Sequence, residues 1–511
     1  MFDSQFDRRQ LLRLGALATA AVGGVSLVAC GGGSEEPDSV SMPTRLRIGA
    51  ADATNSTGLD PRTASAGASM IVMRHVYDSL MHLDGSGYKM SLAEAVEPND
   101  DGTEWSIRIR GGVTFHDGRP VEAKDVAYSL RTLGTKPSNR ASVYADVDVD
   151  NISVVDELTV NVPLRRPRGD FREAVLVVYS TIFPDGTTDF SKAIGSGPYR
   201  LDATDERAVR LVAVEEHWSG TPTVTELEIM RISDAAARLA AVKTGQLDYA
   251  VNISATGAQA EQGNADLTIQ RGGPANAFAL SFAMNQRLAP FDDSRVRRAV
   301  RLVVDRQALV DSALRGLGTP GADVAGLGLP GYAPGIGERN QDIEEARRLF
   351  AEAGVTELTL RAAEVVPGMM AAAQLFAQQM ADAGVKLTVA EEPVDTYYAD
   401  LAGLSSHPFQ AFYYSNRPAA VHLAATTTET AVFNVTGTGQ DYWKRLAAAQ
   451  VSVDDAERAA AFEQLQMEFY ESGGDLLWGF QETLDVSRAG ISDVRMAQSV
   501  PNFAQATVTT S

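Results

Sequence analysis

Apolar and polar side chains alternate from Arg45 to Ala50, which predicts a short strand with one buried face. From Ser69 to His82 the apolar positions recur at helical spacing instead, predicting one helix across the segment. Trp105 to Arg110 alternates again and meets its stop signal at Gly111-Gly112. Glu122 to Leu133 reads as a helix, and further helices are predicted from Asp234 to Thr244, Asp293 to Leu314, Gln341 to Glu352, Pro367 to Ala383 and Asp454 to Tyr470. Short β-rich runs lie between them, at Leu227 to Ile232, Phe278 to Phe282 and Leu358 to Arg361. Helices and strands interleave throughout, with no internal repeat and no long low-complexity tract after residue 42. The expected fold class is therefore α/β.

The first 30 residues follow a different pattern. A basic start carrying Arg8, Arg9 and Arg13 leads into an Ala/Gly-rich apolar run from Leu14 to Ala29 that ends at Cys30. The run is too short and too weakly apolar for a bilayer span, which needs about 20 apolar residues, so a signal peptide over 1–29 is expected. Asp7 to Arg13 resembles a twin-arginine export signal, with Arg8 and Arg9 as the pair. Leu27-Val28-Ala29-Cys30 resembles a lipobox, which implies acylation of Cys30 and cleavage just before it. A plain secretory signal or an uncleaved anchor is the other reading. Residues 30–42 form a Gly/Ser/acidic stretch, expected to act as a lipidated flexible linker.

Composition narrows what the body does. At 511 residues the chain is too long for one core. A formal net charge of −21 argues against nucleic acid as a partner, because phosphates are repelled before contact. Cys30 is the single cysteine, so the body offers no disulfide, no thiolate zinc site and no thiol nucleophile. The six histidines, His75, His82, His116, His217, His407 and His422, show no metal-ligand spacing, and no metal or other cofactor is expected. There is no G-x-S-x-G elbow, which counts against a secreted hydrolase.

A series of phrases then carries a family resemblance. Leu59-Asp60-Pro61 is followed by Val76-Tyr77-Asp78-Ser79-Leu80, and Asp101 to Arg110 by Val113-Thr114-Phe115-His116-Asp117-Gly118-Arg119-Pro120-Val121-Glu122-Ala123-Lys124-Asp125-Val126-Ala127. Gly195-Ser196-Gly197-Pro198-Tyr199, His217 to Pro222, Leu239 to Asp248, Pro290 to Ala299, Val304-Asp305-Arg306 and Ala346 to Gly354 come after them in order. Together these resemble the family 5 extracellular solute-binding proteins, the peptide/nickel-type receptors of ABC importers, over about residues 45 to 490. Taken singly, most of the phrases read as scaffold: His116-Asp117-Gly118 as a tight turn, Gly195 to Tyr199 as no nucleotide loop, Phe291 to Asp293 as a helix start.

The resemblance implies a two-lobed clamshell of the cluster C periplasmic-binding-protein type that closes on a solute and docks on a membrane permease with its ATPase. Lobe I would comprise residues 43–72, 186–275 and 484–511, with a subdomain of residues 73–185 inserted in it; lobe II would comprise 276–483. A lipid-anchored monomer at the extracytoplasmic face of a bacterial membrane, with no enzymatic activity, is the expectation. The solute would be a peptide or peptide-like molecule; an opine, an oligosaccharide or a metal chelate is the alternative, as is a sensor or chaperone-type role. In peptide-binding relatives a Trp-x-x-Asp-like phrase pairs with the peptide's amino group. The corresponding stretch runs from Phe409 to Ala419 and has tyrosine for Trp and no acid. Tyr413, Tyr414, Asn416 and Arg417 are expected to line the cleft, the tyrosines stacking on the solute and the guanidinium gripping an anionic or carbonyl group. The competing reading makes the tyrosines core and pairs Arg417 with a carboxylate. Asn55 and Ser56, at the end of the first strand, supply either pocket groups or a polar turn. Trp478 faces the cleft or belongs to the core.

Overall fold

The computed structural model describes residues 44–509 apart from 53–57, 66, 85–86, 178, 429–430 and 432. Arg8, Arg9, Cys30, Asn55 and Ser56 lie outside the described residues. The first strand, Arg45–Ala50, buries Leu46, Ile48 and Ala50, as its alternation predicts. It runs parallel to Glu226–Arg231 on one side and to Tyr249–Ala250 on the other. These are the central strands of a seven-stranded sheet in the order Leu267–Arg271, Leu484–Arg488, Tyr249–Ala250, Arg45–Ala50, Glu226–Arg231, Ala208–Ala213 and Tyr199–Thr204. A four-stranded antiparallel sheet of Ala93–Pro98, Glu104–Ile109, Thr159–Pro163 and Ser153–Val154 comes from the intervening chain, with Trp105 and Ile107 fully buried in it. Helix Ala123–Gly134 lies against it, and the Asp125 carboxylate caps the helix start by accepting from Glu122 N at 2.8 Å.

The later half of the chain builds a six-stranded sheet in the order Gly318–Pro320, Asp475–Glu482, Ala277–Met284, Phe409–Ser415, Glu357–Ala362 and Lys386–Glu391. Helices Ser294–Val303, Arg306–Ala313, Ile343–Ala353 and Met369–Asp382 cover one face, packing Val300, Leu309, Phe350 and Phe376 on Leu280, Phe282 and Trp478. Three further helices, Ala419–Thr427, Gln440–Val451 and Asp455–Ser472, bury a separate cluster around Leu423, Leu446 and Phe462. Among the described residues no helix is long and apolar enough to cross a membrane.

Two expected elements differ. The helix anticipated from Ser69 to His82 is Gly67–Val76, and His82 sits in strand Met81–Asp84, paired with Gly87–Met90. The break falls where Asp78 is drawn aside, accepting from Ser196 Oγ at 3.0 Å and Trp218 Nε1 at 2.8 Å. The helix anticipated from Asp293 to Leu314 is two, because Val304 is extended and the Asp305 carboxylate caps a new start by accepting from Ala308 N at 2.9 Å.

Candidate functional site

The chain passes between the seven-stranded and six-stranded sheets twice, through the helical turn Pro274–Asn276 and through Thr483 between strands Asp475–Glu482 and Leu484–Arg488. The two passages are tied together. Asn276 O accepts from Thr483 N at 2.9 Å, and the buried Glu482 carboxylate accepts from Arg271 at 2.6 and 3.0 Å, Thr319 Oγ1 at 2.8 Å and Gly273 N at 3.1 Å. Crossing segments pinned side by side form a hinge: few residues need change φ and ψ for the halves to move as bodies.

The halves meet again at a second place. Gly169 N donates to Gln450 O at 2.7 Å, and a Cβ on Gly169 would lie 1.7 Å from Ser452 O, so only glycine permits this approach. Arg458 reaches Glu173 at 3.3 Å, and Arg172 bonds to Asp455. Nothing in the sequence pairs residues some 280 positions apart, so pattern reading misses this contact. The ground between hinge and contact is the candidate solute site.

Strand Phe409–Ser415 leads toward that ground, and adjacent residues on it point to opposite faces. Tyr413 is half-buried, packed against the core beneath the helices, and meets Phe278 edge-on at 5.4 Å, with Phe278 41% exposed at the sheet end. Tyr414 points the other way and is buried, its hydroxyl donating to Asp475 at 3.2 Å and its ring edge-on to His422 at 4.8 Å. The expectation that both tyrosines line the cleft is thus corrected for Tyr414. Asn416 is occupied as well: its amide donates to Pro274 O at 2.6 Å and Leu327 O at 3.0 Å while its oxygen accepts from Gly326 N at 2.7 Å, fastening the strand end to the hinge. Trp478 is fully buried, 6.1 Å from Phe282, because Leu476 to Phe480 is a strand buried on both faces.

Arg417 stands out from this set. It is exposed, and among the described residues no carboxylate lies within ion-pair distance. The neighbouring His422 does not share its charge role, being pushed down to about 3 by burial and, second, by the Arg417 charge. No cluster of three or more metal-ligating side chains is present among the described residues.

Beneath the site, Asp475 is fully buried and accepts from Ser281 Oγ at 2.7 Å as well as from Tyr414. Burial raises its carboxyl to about 6, aided by Asp323 and opposed by the two hydroxyl donors and Arg301. The folded state therefore holds this proton more tightly than the unfolded chain, and the stabilisation it brings is lost as pH rises through about 6. Asp475→Asn should gain on the parent protein by about 2–3 kcal/mol between pH 4 and pH 8. Urea unfolding of both proteins at each pH checks this, and parallel pH curves would refute it.

Comparison with known proteins agrees with this geometry. The sequence profile described as bacterial extracellular solute-binding proteins, family 5 Middle, matches residues 87–422. The chain is 28% identical over 363 residues to the glutathione-binding protein GsiB of Salmonella paratyphi A, covering 68% of this chain and 70% of that protein. It is 26% identical over 444 residues to heme-binding protein A of Haemophilus influenzae, covering 76% and 78%. Among solved structures, the unliganded open form of the periplasmic murein tripeptide-binding protein MppA superimposes with a TM-score of 0.81 at 17% identity, over 92% of this chain and 98% of that one. HbpA2 of Haemophilus parasuis gives 0.78 at 20% identity, over 91% and 100%. The fold is thus the two-lobed α/β fold of the cluster C periplasmic binding proteins. With two sheets joined by a double crossing and a family profile spanning most of the described chain, the protein belongs to the bacterial extracellular solute-binding proteins, family 5.

Proposed function

We propose that this chain is the receptor of an ABC importer that captures a peptide or peptide-like solute between its two lobes and hands it to a membrane permease driven by an ATPase. The observation that carries the reading is Arg417, exposed and with no carboxylate in ion-pair distance among the described residues, next in sequence to Asn416, which ties the strand end to the double crossing, with the exposed Phe278 ring on the neighbouring strand. A planar guanidinium recognises a carboxylate or carbonyl in the plane of its fork, and the ring faces suit flat, amide-rich groups. Membership of a solute-binding family makes the working step binding rather than catalysis. Closure is then favoured only as far as the solute touches both lobes. Relatives described as binding glutathione, heme or murein tripeptide support a peptide-like or comparably sized organic solute. The absence of an acid in the stretch 409–419 weighs against a mode that relies on pairing a free amino group there.

The rest of the proposal follows the N-terminal pattern. Cys30 carries the lipid that holds the protein at the outer face of a bacterial membrane, with 30–42 as stalk. Arg8-Arg9 direct export of the folded body. The lobes take the boundaries 43–72, 186–275 and 484–511 for the first, with 73–185 inserted, and 276–483 for the second.

A thermal-shift panel of di- to pentapeptides, opines, oligosaccharides and nickel chelates on the 43–511 body tests the class, since a ligand at 100 times its Kd adds about 2.7 kcal/mol of stability. For whichever solute stabilises the protein, Arg417→Ala is expected to weaken binding about 10- to 100-fold, as loss of a charge-assisted hydrogen bond does. Unchanged affinity would remove Arg417 from the site.

A further inference from the structure

The lobe I side of the hinge holds another arginine, Arg74, with no carboxylate partner among the described residues. Helix Gly67–Val76 is held by His75, whose ring meets Tyr199 of the seven-stranded sheet edge-on at 5.3 Å, whose Nδ1 donates to Ile71 O at 2.7 Å and whose Nε2 accepts from Phe503 N at 2.9 Å. With His75 turned to the sheet, the preceding Arg74 points elsewhere. Arg74 is surrounded by protein yet remains partly exposed as a residue. One nitrogen donates to Gln498 Oε1, Nε is buried with no acceptor, and among the described residues no carboxylate lies within ion-pair distance. Burial pushes Arg74 down to about 10, relieved only by the nearby Tyr179 hydroxyl. An enclosed, unpaired charge is costly. Buried arginines elsewhere are compensated, by carboxylates as in Arg168 held by both Asp146 and Asp170 at 2.6 Å, or by several backbone carbonyls as in Arg238.

The partner Gln498 is held in place by unusual means. It sits with Ser499 at the tip of the hairpin Arg495–Ala497 and Val500–Asn502, a two-residue turn in which both have positive φ, 51° and 60°. Such turns favour Asn-Gly, and Gln-Ser bears strain there. The tip is tied to the hinge, because Ser499 N donates to Asn276 Oδ1 at 2.8 Å. From the hinge the lobe I side therefore runs through Asn276 and Ser499 to Gln498 and Arg74, and elsewhere on lobe I Glu173 is bonded across to Arg458. On lobe II the wall starts at Asn416 and Arg417 and continues along helix Ala419–Thr427, which runs beside the segment Arg172–Leu176 of lobe I.

We propose that Arg74 is an anion-recognising residue of the solute site, taking a carboxylate of the solute on the lobe I wall while Gln498 holds its fork in plane. The inference rests on the receptor reading above and narrows the solute to one bearing at least one free carboxylate. The protein is strongly acidic, at −21 overall, so holding an anionic solute depends on a local cation such as Arg74. A carboxylate held by both Arg74 and Gln498 would also bring the hinge-tied hairpin into contact with the ligand, giving binding a direct hold on closure.

The test compares Arg74→Gln and Arg74→Lys with the parent protein, using a tripeptide library with free C-terminal carboxylates and the same library amidated. The parent should bind the free-acid library at least tenfold more tightly than the amidated one. Arg74→Gln should abolish that preference and Arg74→Lys restore part of it. In the absence of any peptide, Arg74→Gln should melt at the same temperature as the parent or higher, because an uncompensated charge has been removed. A ligand-free Arg74→Gln protein that melts lower would make Arg74 a structural residue and overturn the proposal. So would a preserved free-acid preference in Arg74→Gln. A parent protein that responds to neither library overturns the peptide reading itself, and this inference with it.

Discussion

Asp323→Asn is expected to cost about 3–5 kcal/mol of stability in the six-stranded lobe, the largest effect of any single polar change considered. Asp323 is fully buried and accepts from Arg306 Nη2 at 2.6 Å and Arg339 Nε at 2.9 Å, with Arg306 itself only 1% exposed at its side chain. One carboxylate thus neutralises two guanidiniums on segments 33 residues apart, and Arg339 is further held by stacking over Tyr470 at 4.2 Å. Whether the triad adds net stability over an apolar core is a separate question from what happens when one member is removed. Taking out the acid alone leaves two cations facing each other without water, and Arg301 nearby is already pushed down to about 10 by burial. The measurement is chemical unfolding followed by a probe in lobe II, such as Trp478 fluorescence. A variant whose midpoint matches the parent would mean that water or a rearranged acid replaces Asp323.

Gly195→Ala is expected to lose about 3 kcal/mol or more, a figure at the upper end for overpacking because the obstruction is backbone. A Cβ at Gly195 would sit 2.0 Å from Val76 O and 2.8 Å from its carbonyl carbon, and one at Gly197 would sit 2.6 Å from His75 O. Neither neighbour can rotate away, since Val76 ends helix Gly67–Val76 and its carbonyl accepts from Gly197 N at 3.0 Å. The Gly195-Ser196-Gly197 phrase, which superficially resembles a nucleotide loop, is a packing device: it lets the chain pass against the helix end, and Ser196 Oγ then donates to Asp78 at 3.0 Å. Thermal unfolding of the variant checks the value. An unchanged melting temperature would show that the loop can shift by a full ångström, contrary to the bonds that hold it.

The alternation in Arg45–Ala50 and Glu104–Ile109 and the helical spacing after Asp234 and Asp454 made most elements legible from the sequence, because each is a local signal. The same local rule could have separated Tyr413 from Tyr414, since neighbours on a strand cannot share a face. Leu476 to Phe480 is likewise a continuous apolar run, the mark of a strand covered on both sides, which places Trp478 in the core. Arg417 is prominent in the sequence through its position alone; its lack of a carboxylate partner is a tertiary fact. Arg74, Gln498, Arg172 and Asp455 carry no local signal at all, because each acquires its role from a residue hundreds of positions away. The break at Asp78 was hidden for the same reason, since side-chain bonds to distant segments override helical periodicity, whereas the break at Val304 carried a local signal in Asp305, which caps the next helix.

A solute-binding protein that encloses a peptide-like molecule between two lobes should carry that molecule out of the cell with it. Native mass spectrometry of the 43–511 body, purified without refolding from its own cells, tests it most directly. A non-covalent adduct of peptide-like mass bearing a free carboxylate is expected, and its loss from the Arg417→Ala protein. A bare protein mass from the same preparation, together with no response to the peptide panel, would contradict it.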